Sequence, residues 1–195
     1  MAYAYQFRVA FLIILALYCA QLLRPLWLSR FRKRIWILVT SIIILGNFLL
    51  AYVQYRTWNN NPVGKFLLPP YQSWAYFIKY SSIEFFAPYI VSGLIAVIVV
   101  GSVVWLNNRF DRRFFYSDEY LLIGINTLVV GHPGWLVYAL VSLVFYMAWN
   151  IVATIFNKGA VRVSMYYMWL PLGCSSLLLS QWLIRTVSWL KVLIL

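Results

Sequence analysis

The sequence predicts an all-α fold, a polytopic integral membrane helical bundle of about five spans, and three observations lead there. Of its 195 residues, 64% are apolar and only 10% charged, whereas a soluble domain is nearer half apolar and a quarter charged. Mean hydropathy is +0.81, more apolar surface than a water-soluble core of this length can hide. The apolar residues also gather into runs of roughly 20, the length a helix needs to cross a hydrocarbon layer about 30 Å thick. Disordered, collagen-like and disulfide-stapled classes are excluded by the same composition. Cys19 and Cys174 fall inside apolar runs and read as small packing residues.

The first span is expected over residues 9–28. Arg8 precedes it as in a signal peptide, but no small-residue cleavage site follows, and Tyr18 before Cys19 is too bulky for a lipoprotein signal. It reads as a retained anchor. The basic cluster Arg30, Arg32, Lys33 and Arg34 leads directly into a second span, 35–54, so the two form an antiparallel hairpin. Residues 55–84 break the pattern with Asn59-Asn60-Asn61-Pro62 and Pro69-Pro70, which no regular helix interior accepts. The rings of Trp74, Tyr76, Phe77 and Tyr80 favour the headgroup level. An external loop with a short interfacial helix is therefore expected there.

A third span follows over 86–106, with Pro88 in its first turns, where the missing amide hydrogen costs little. After a polar stretch, residues 121–130 are apolar but too few to cross. Gly131-His132-Pro133-Gly134 then interrupts, so 121–130 is expected as a half-helix; a crossing there would make six spans. Spans over 135–156 and 163–184 complete a single membrane domain, 1–195.

Sixteen Lys and Arg face four Asp and Glu, a net charge of +12. In a soluble chain this would point to nucleic acid. In a membrane chain it reads as cation-rich cytoplasmic loops beside the lipid bilayer, with no direct nucleic-acid binding expected. With the amino terminus outside and the carboxyl terminus cytoplasmic, ten of the sixteen cations fall inside. The other six, outside, are Arg8, Arg56, Lys65, Lys79, Lys158 and Arg162. Each inner cation near anionic headgroups gains about 1 kcal/mol.

Groups for chemistry are scarce. One histidine and two cysteines do not make a conventional zinc site, and neither a phosphate-binding glycine loop nor a nucleophile elbow is present. No metal or cofactor is expected. His132 reads as part of a break and turn, with a ligand or proton-relay role as the alternative. Glu84 and Asp118 flank opposite ends of the third span, and Asp118 and Glu119 are adjacent, so their side chains diverge on a helix. Asp111 and Asp118 are about 10 Å apart along a helix, though a bent loop would bring them together. The plainer reading has Asp111 balancing Arg109, Arg112 and Arg113, and Asp118 capping the next helix. Gln21, Asn47, Asn126 and Asn150 are amides suited to joining helices. The predicted membrane middle holds no ionisable group, which counts against ion-coupled transport. Glycines 93, 101, 124, 131 and 173 would permit close helix approach.

Leu68-Pro69-Pro70-Tyr71-Gln72-Ser73-Trp74, then Lys79-Tyr80, Phe86-Ala87-Pro88, a span and Asn108-Arg109-Phe110-Asp111-Arg112-Arg113 resemble the membrane-anchor region of conjugative type IV secretion coupling proteins. The likeness covers residues 68–113 and lacks that family's nucleotide-binding motor. It implies an anchor-like partner in a membrane assembly. Residues 116–173 resemble prepilin peptidases, membrane aspartyl proteases with a Gly-X-Gly-Asp motif before a helix. Here Tyr116-Ser117-Asp118-Glu119-Tyr120-Leu121-Leu122 occupies that place, and Trp169-Leu170-Pro171-Leu172-Gly173 is similar to their later Pro-Gly segment. Asp118 is the matched catalytic carboxylate. Both motif glycines are replaced, and Cys19, Gln21 and Arg24 stand where the partner aspartate is expected.

The leading expectation is a non-enzymatic subunit that scaffolds or anchors other membrane proteins of an envelope assembly, such as a secretion or conjugation apparatus, in a bacterial inner membrane. An intramembrane aspartyl protease using Asp118 and Asp111 is the enzymatic alternative, and a small pore or carrier for a neutral solute is the third. The charge pattern makes one prediction directly. Replacing Arg30, Arg32, Lys33 and Arg34 together with Ala should produce mixed orientations, read by labelling single cysteines from either side of the membrane, because the densest inward cation signal is lost.

Overall fold

In a bilayer the outward face of a helix is as apolar as the face it buries, and α1 (Ala2–Leu23) and α2 (Arg32–Asn60) are built this way. Along α2, Ile35, Val39, Ile43, Asn47 and Leu50 recur every three or four residues and are buried, while Ile37, Leu38, Leu45 and Phe48 on the other faces are exposed. On α1, Ala10, Ile14, Leu17 and Gln21 face inward, and Leu12 and Leu22 face out. The computed structural model describes residues 2–24, 28, 30–111, 114–157 and 164–187. Arg112, Arg113, Lys158, Arg162 and Lys191, which enter the charge count, lie outside the described residues, as does the start of the expected span 163–184.

The helix α2 is 29 residues long and runs on to Asn60, beyond the expected end at Gln54. Nothing between Gln54 and Asn60 stops it. It ends where the Asn61 side chain turns to accept hydrogen bonds from the backbone amides of Val63 (2.9 Å) and Gly64 (3.1 Å) beside Pro62. Arg32, Lys33 and Arg34 are likewise part of its first turn rather than of a loop. A 3-10 turn, Gly64–Leu67, lies in the connection.

The next rod is continuous over 36 residues. It comprises α3 (Trp74–Ser81), a π-helical turn (Ser82–Phe86) and α4 (Ala87–Arg109). The stretch without α-helix therefore narrows to 61–73. The π turn sits immediately before Pro88, whose ring and missing N–H do not fit a regular helical turn. Trp74, Phe77 and Tyr80 of α3 pack on Tyr55 and Trp58 near the end of α2: Tyr55 and Trp74 stack at 5.7 Å, and Trp58 and Tyr80 lie 4.8 Å apart.

The 12-residue α5 (Glu119–Val130) is followed by α6 (Gly134–Asn157) and α7 (Trp169–Thr186). Short as it is, α5 lies at the centre and packs against α1, α2, α4, α6 and α7. From Glu119 to Val129 every residue except Tyr120 is buried. The fold is an all-α membrane bundle with no strand among the described residues. Four helical stretches are long and apolar enough to cross a membrane: Tyr5–Leu23, Arg32–Asn60, Trp74–Arg109 and Gly134–Phe156. Both cysteines are free thiols, Cys174 half-buried and Cys19 exposed on α1 rather than packed inside.

Amides tie the helices together. Asn126 of α5 donates to the Trp169 carbonyl at the start of α7 (2.8 Å), Gln21 of α1 donates to the Tyr166 carbonyl (2.7 Å), and Gln6 of α1 donates to Asn47 of α2 (3.4 Å). Asn150 instead donates to Tyr146 on its own helix. The α5–α7 contact depends on Gly173, where an added Cβ would collide with Asn126 Oδ1 and lie 3.2 Å from Ile14. A Cβ on Gly101 would meet nothing. Gly173→Val should therefore lower the melting temperature in detergent by an amount matching an overpacking cost of about 1–3 kcal/mol, while Gly101→Val leaves it unchanged.

Candidate functional site

The polar residues converge at the amino-terminal end of α5. Asn107, buried in the last turns of α4, organises the chain that follows. Its Oδ1 accepts from the amides of Phe114 (3.1 Å) and Phe115 (3.2 Å), and its Nδ2 donates to the Phe115 carbonyl (2.7 Å) and to the Tyr120 hydroxyl. That turn delivers Glu119 into the core, 1% exposed. One carboxylate oxygen accepts from the Tyr116 amide (3.1 Å); the other accepts from the Met165 amide (2.7 Å) and the Ser164 hydroxyl (3.1 Å). A carboxylate in the first turn also complements the positive end of the helix dipole. Glu119 thus fastens the 164–165 segment, more than 40 positions away in the chain, to the start of α5.

Asp118 is at the N-cap position but makes no capping hydrogen bond; the carboxylate that reaches back over the turn belongs to Glu119. Asp118 is half-buried. Burial raises the pKa of the Tyr166 phenol above its ordinary value, and the nearby charge of Asp118 adds to the shift. Asp111 is exposed at the far side of the turn with a left-handed backbone (φ 52°). The two aspartates therefore differ in setting, one at the bundle end and one on an outer loop.

Beside α5 lies a cavity of about 250 Å³ walled by Val99 and Val103 of α4, Ile123 and Thr127 of α5, and Ala139, Ser142 and Leu143 of α6. Phe115, Tyr146 and Trp169 close the end nearest Glu119, with Phe115 stacked on Tyr146 at 5.5 Å, and Trp135 lies at the other end. Trp169 is 4% exposed, and its indole N–H has no hydrogen-bond partner.

The remaining candidates stand apart from this centre. Arg30, Arg32, Lys33 and Arg34 are exposed, with the Arg30 and Arg34 guanidinium groups 5.8 and 5.4 Å from the Phe31 ring centre. Trp74 and Tyr76 are exposed, and Phe77 and Tyr80 half-buried, within the aromatic cluster on the end of α2. His132 accepts a hydrogen bond at Nδ1 from the Trp135 indole (3.1 Å), and its amide donates to the Pro88 carbonyl (3.3 Å). No set of three residues suited to hold a metal ion occurs among the described residues. Comparison with known protein families, curated proteins and solved structures finds no match.

Glu119 and Asn107 are the residues that sequence reasoning missed. A carboxylate immediately before an apolar run, one turn ahead of the buried Ile123, was the available signal. Glu119→Ala would leave three donors without their acceptor, each worth about 1 kcal/mol or more when buried. Its melting temperature should fall well below that of Asp118→Ala, whose substitution should stay within about 1 kcal/mol of the parent.

Proposed function

We propose that the protein is a non-enzymatic subunit of a bacterial inner-membrane assembly, anchoring or scaffolding other envelope proteins, with its amino terminus outside and its basic Arg30–Arg34 turn in the cytoplasm. The observation that carries this reading is the engagement of Glu119. The buried carboxylate at the start of the central helix has both oxygens occupied in holding two chain segments together, so it serves architecture rather than proton transfer. The buried amides Gln21, Asn47, Asn107 and Asn126 likewise hold helices or turns.

One observation favours an aspartyl protease as the second reading. Asp118 is half-buried directly before the central helix, and Phe115, three residues earlier, lines the cavity. An aspartyl mechanism needs a second carboxylate sharing a proton with the first, and Asp111 would have to supply it.

In-cell crosslinking, purification in gentle detergent and mass spectrometry separate the two. Several envelope proteins recovered in fixed stoichiometry, unchanged by Asp118→Asn, are the expected result. Recovery of the protein alone, or of a secreted precursor whose cleavage stops in the Asp118→Asn variant, would favour the protease.

A further inference from the structure

We propose that His132 is a pH-operated latch: neutral, it holds Trp135 at one end of the cleft beside α5, and protonated, it lets that ring go. The bond between the two shows the resting form. The Trp135 indole N–H donates to His132 Nδ1 at 3.1 Å, and an imidazole nitrogen accepts only while it carries no proton. A proton arriving from water at Nδ1 takes up that lone pair and leaves the ring positive. Two N–H donors then face one another, and the bond is lost. Histidine is the side chain whose charge changes between about pH 5 and 8.

The turn is placed to receive the proton. His132 stands in the break between α5 and α6, fixed to α4 by its own amide, which donates to the Pro88 carbonyl. Half-buried, it lines a hollow of about 30 Å³ with Gln6 of α1, Tyr89 of α4 and Ser180 of α7, room for about two water molecules. The carbonyl end of α5 finishes here with no basic residue in its last turn, a setting that favours a positive charge. Among the described residues, Tyr89 is the other titratable group that lines the hollow. Arg8 of α1 and Glu84 of the π turn are exposed and do not line it, and α7 contributes only Leu177 and Ser180. On α6 the Tyr138 phenol, a turn beyond Trp135, accepts from Asn126 (3.4 Å).

Trp135 is the part that moves. Its amide is held by the Gly131 carbonyl (2.8 Å), but its ring is half-buried at the end of the cleft and has the His132 bond as its polar anchor. An indole N–H released among apolar groups seeks a new acceptor, and the headgroup level supplies one. The ring therefore swings away from the cleft and leaves that end open. This latch needs only the membrane bundle, and holds whether the protein scaffolds an assembly or cleaves a substrate.

The full chain, with isotope-labelled tryptophan and reconstituted in lipid nanodiscs, gives an indole resonance for each of its ten tryptophans. The resonance missing from Trp135→Phe belongs to Trp135. From about pH 8 to about pH 5 it should move with a single midpoint. In His132→Asn, whose Oδ1 accepts at the reach of Nδ1 but takes no proton, it should stay at its neutral-form position, and the unchanged remaining resonances report an intact fold. The cleft is followed in Thr127→Cys by maleimide labelling at position 127, read by mass spectrometry relative to the exposed native Cys19. That ratio cancels the pH dependence of thiol chemistry. It should rise about fivefold over the same acidification, the equilibrium share of one hydrogen bond. A Trp135 resonance that stays put across the range, or titrates equally in His132→Asn, would overturn the latch. A resonance that titrates while the labelling ratio holds constant would overturn the release of Trp135 from the cleft.

Discussion

A helix of 12 residues reaches about 18 Å, well short of a hydrocarbon layer about 30 Å thick, and the rest of the bundle is arranged around that shortfall. Backbone groups at the ends of a helix lack partners within it, and inside a membrane protein they must find them in protein. Ahead of α5, Asn107 and Glu119 hold the turn by taking up the amides of Phe114, Phe115 and Tyr116, and the Tyr116 carbonyl accepts from the Glu119 amide, the first of the helix (3.0 Å). At its end, Ser92 of α4 donates to the Leu128 carbonyl (3.1 Å), and Gly131 turns the chain with φ 72°. The Gly131 carbonyl then accepts from the Trp135 amide as α6 begins (2.8 Å). These bonds tie the 114–116 turn, α4 and the start of α6 to the chain at the two ends of α5, so closing those ends also fixes its neighbours.

This explains where polarity is found. Amides and hydroxyls are sparse, and they occur where a helix must meet a neighbour end-on or at close range. Interhelical hydrogen bonds in bilayers average only about 0.6 kcal/mol, so no single one holds the bundle. Their value lies in direction: Asn126 sets the register of α7 on α5 only because Gly173 leaves room for it. Close packing then supplies most of the adhesion, since lipid tails remove the hydrophobic drive that would join such helices in water.

The helices were legible in the sequence because bilayer physics writes them as long apolar runs, and the interruptions at 61–73 and 131–134 were legible because Pro, Gly and Asn punctuate them. Boundaries were less so: Asn59 and Asn60 read as loop residues, yet a helix in progress carries them until Asn61 and Pro62 end it. The joining role of Gln21, Asn47 and Asn126 could be expected from amides in apolar runs, although their partners could not. The place of Glu119 at the head of an apolar run was visible, but what it holds was not. Its donors lie at 116 and at 164–165, and only the fold shows that 164–165 returns to the head of α5. The aromatic crowding of Trp74, Phe77 and Tyr80 was visible, whereas its seat on Tyr55 and Trp58 depends on α2 running several residues further than its apolar run.

The cavity follows from the same short helix. α5 is wide enough to pack against both α4 and α6, and it stands between them. In water, an apolar cleft of this kind would tend to close, because closing it would remove its walls from solvent. In a bilayer that drive is absent: hydrocarbon in the cleft is as favourable a neighbour as another side chain. Small residues on α6, Ala139 and Ser142, deepen the opening, while the bonds that seal the two ends of α5 keep the walls from sliding together. An open lateral slot is thus the stable consequence of placing a short, fully partnered helix at the centre of longer ones.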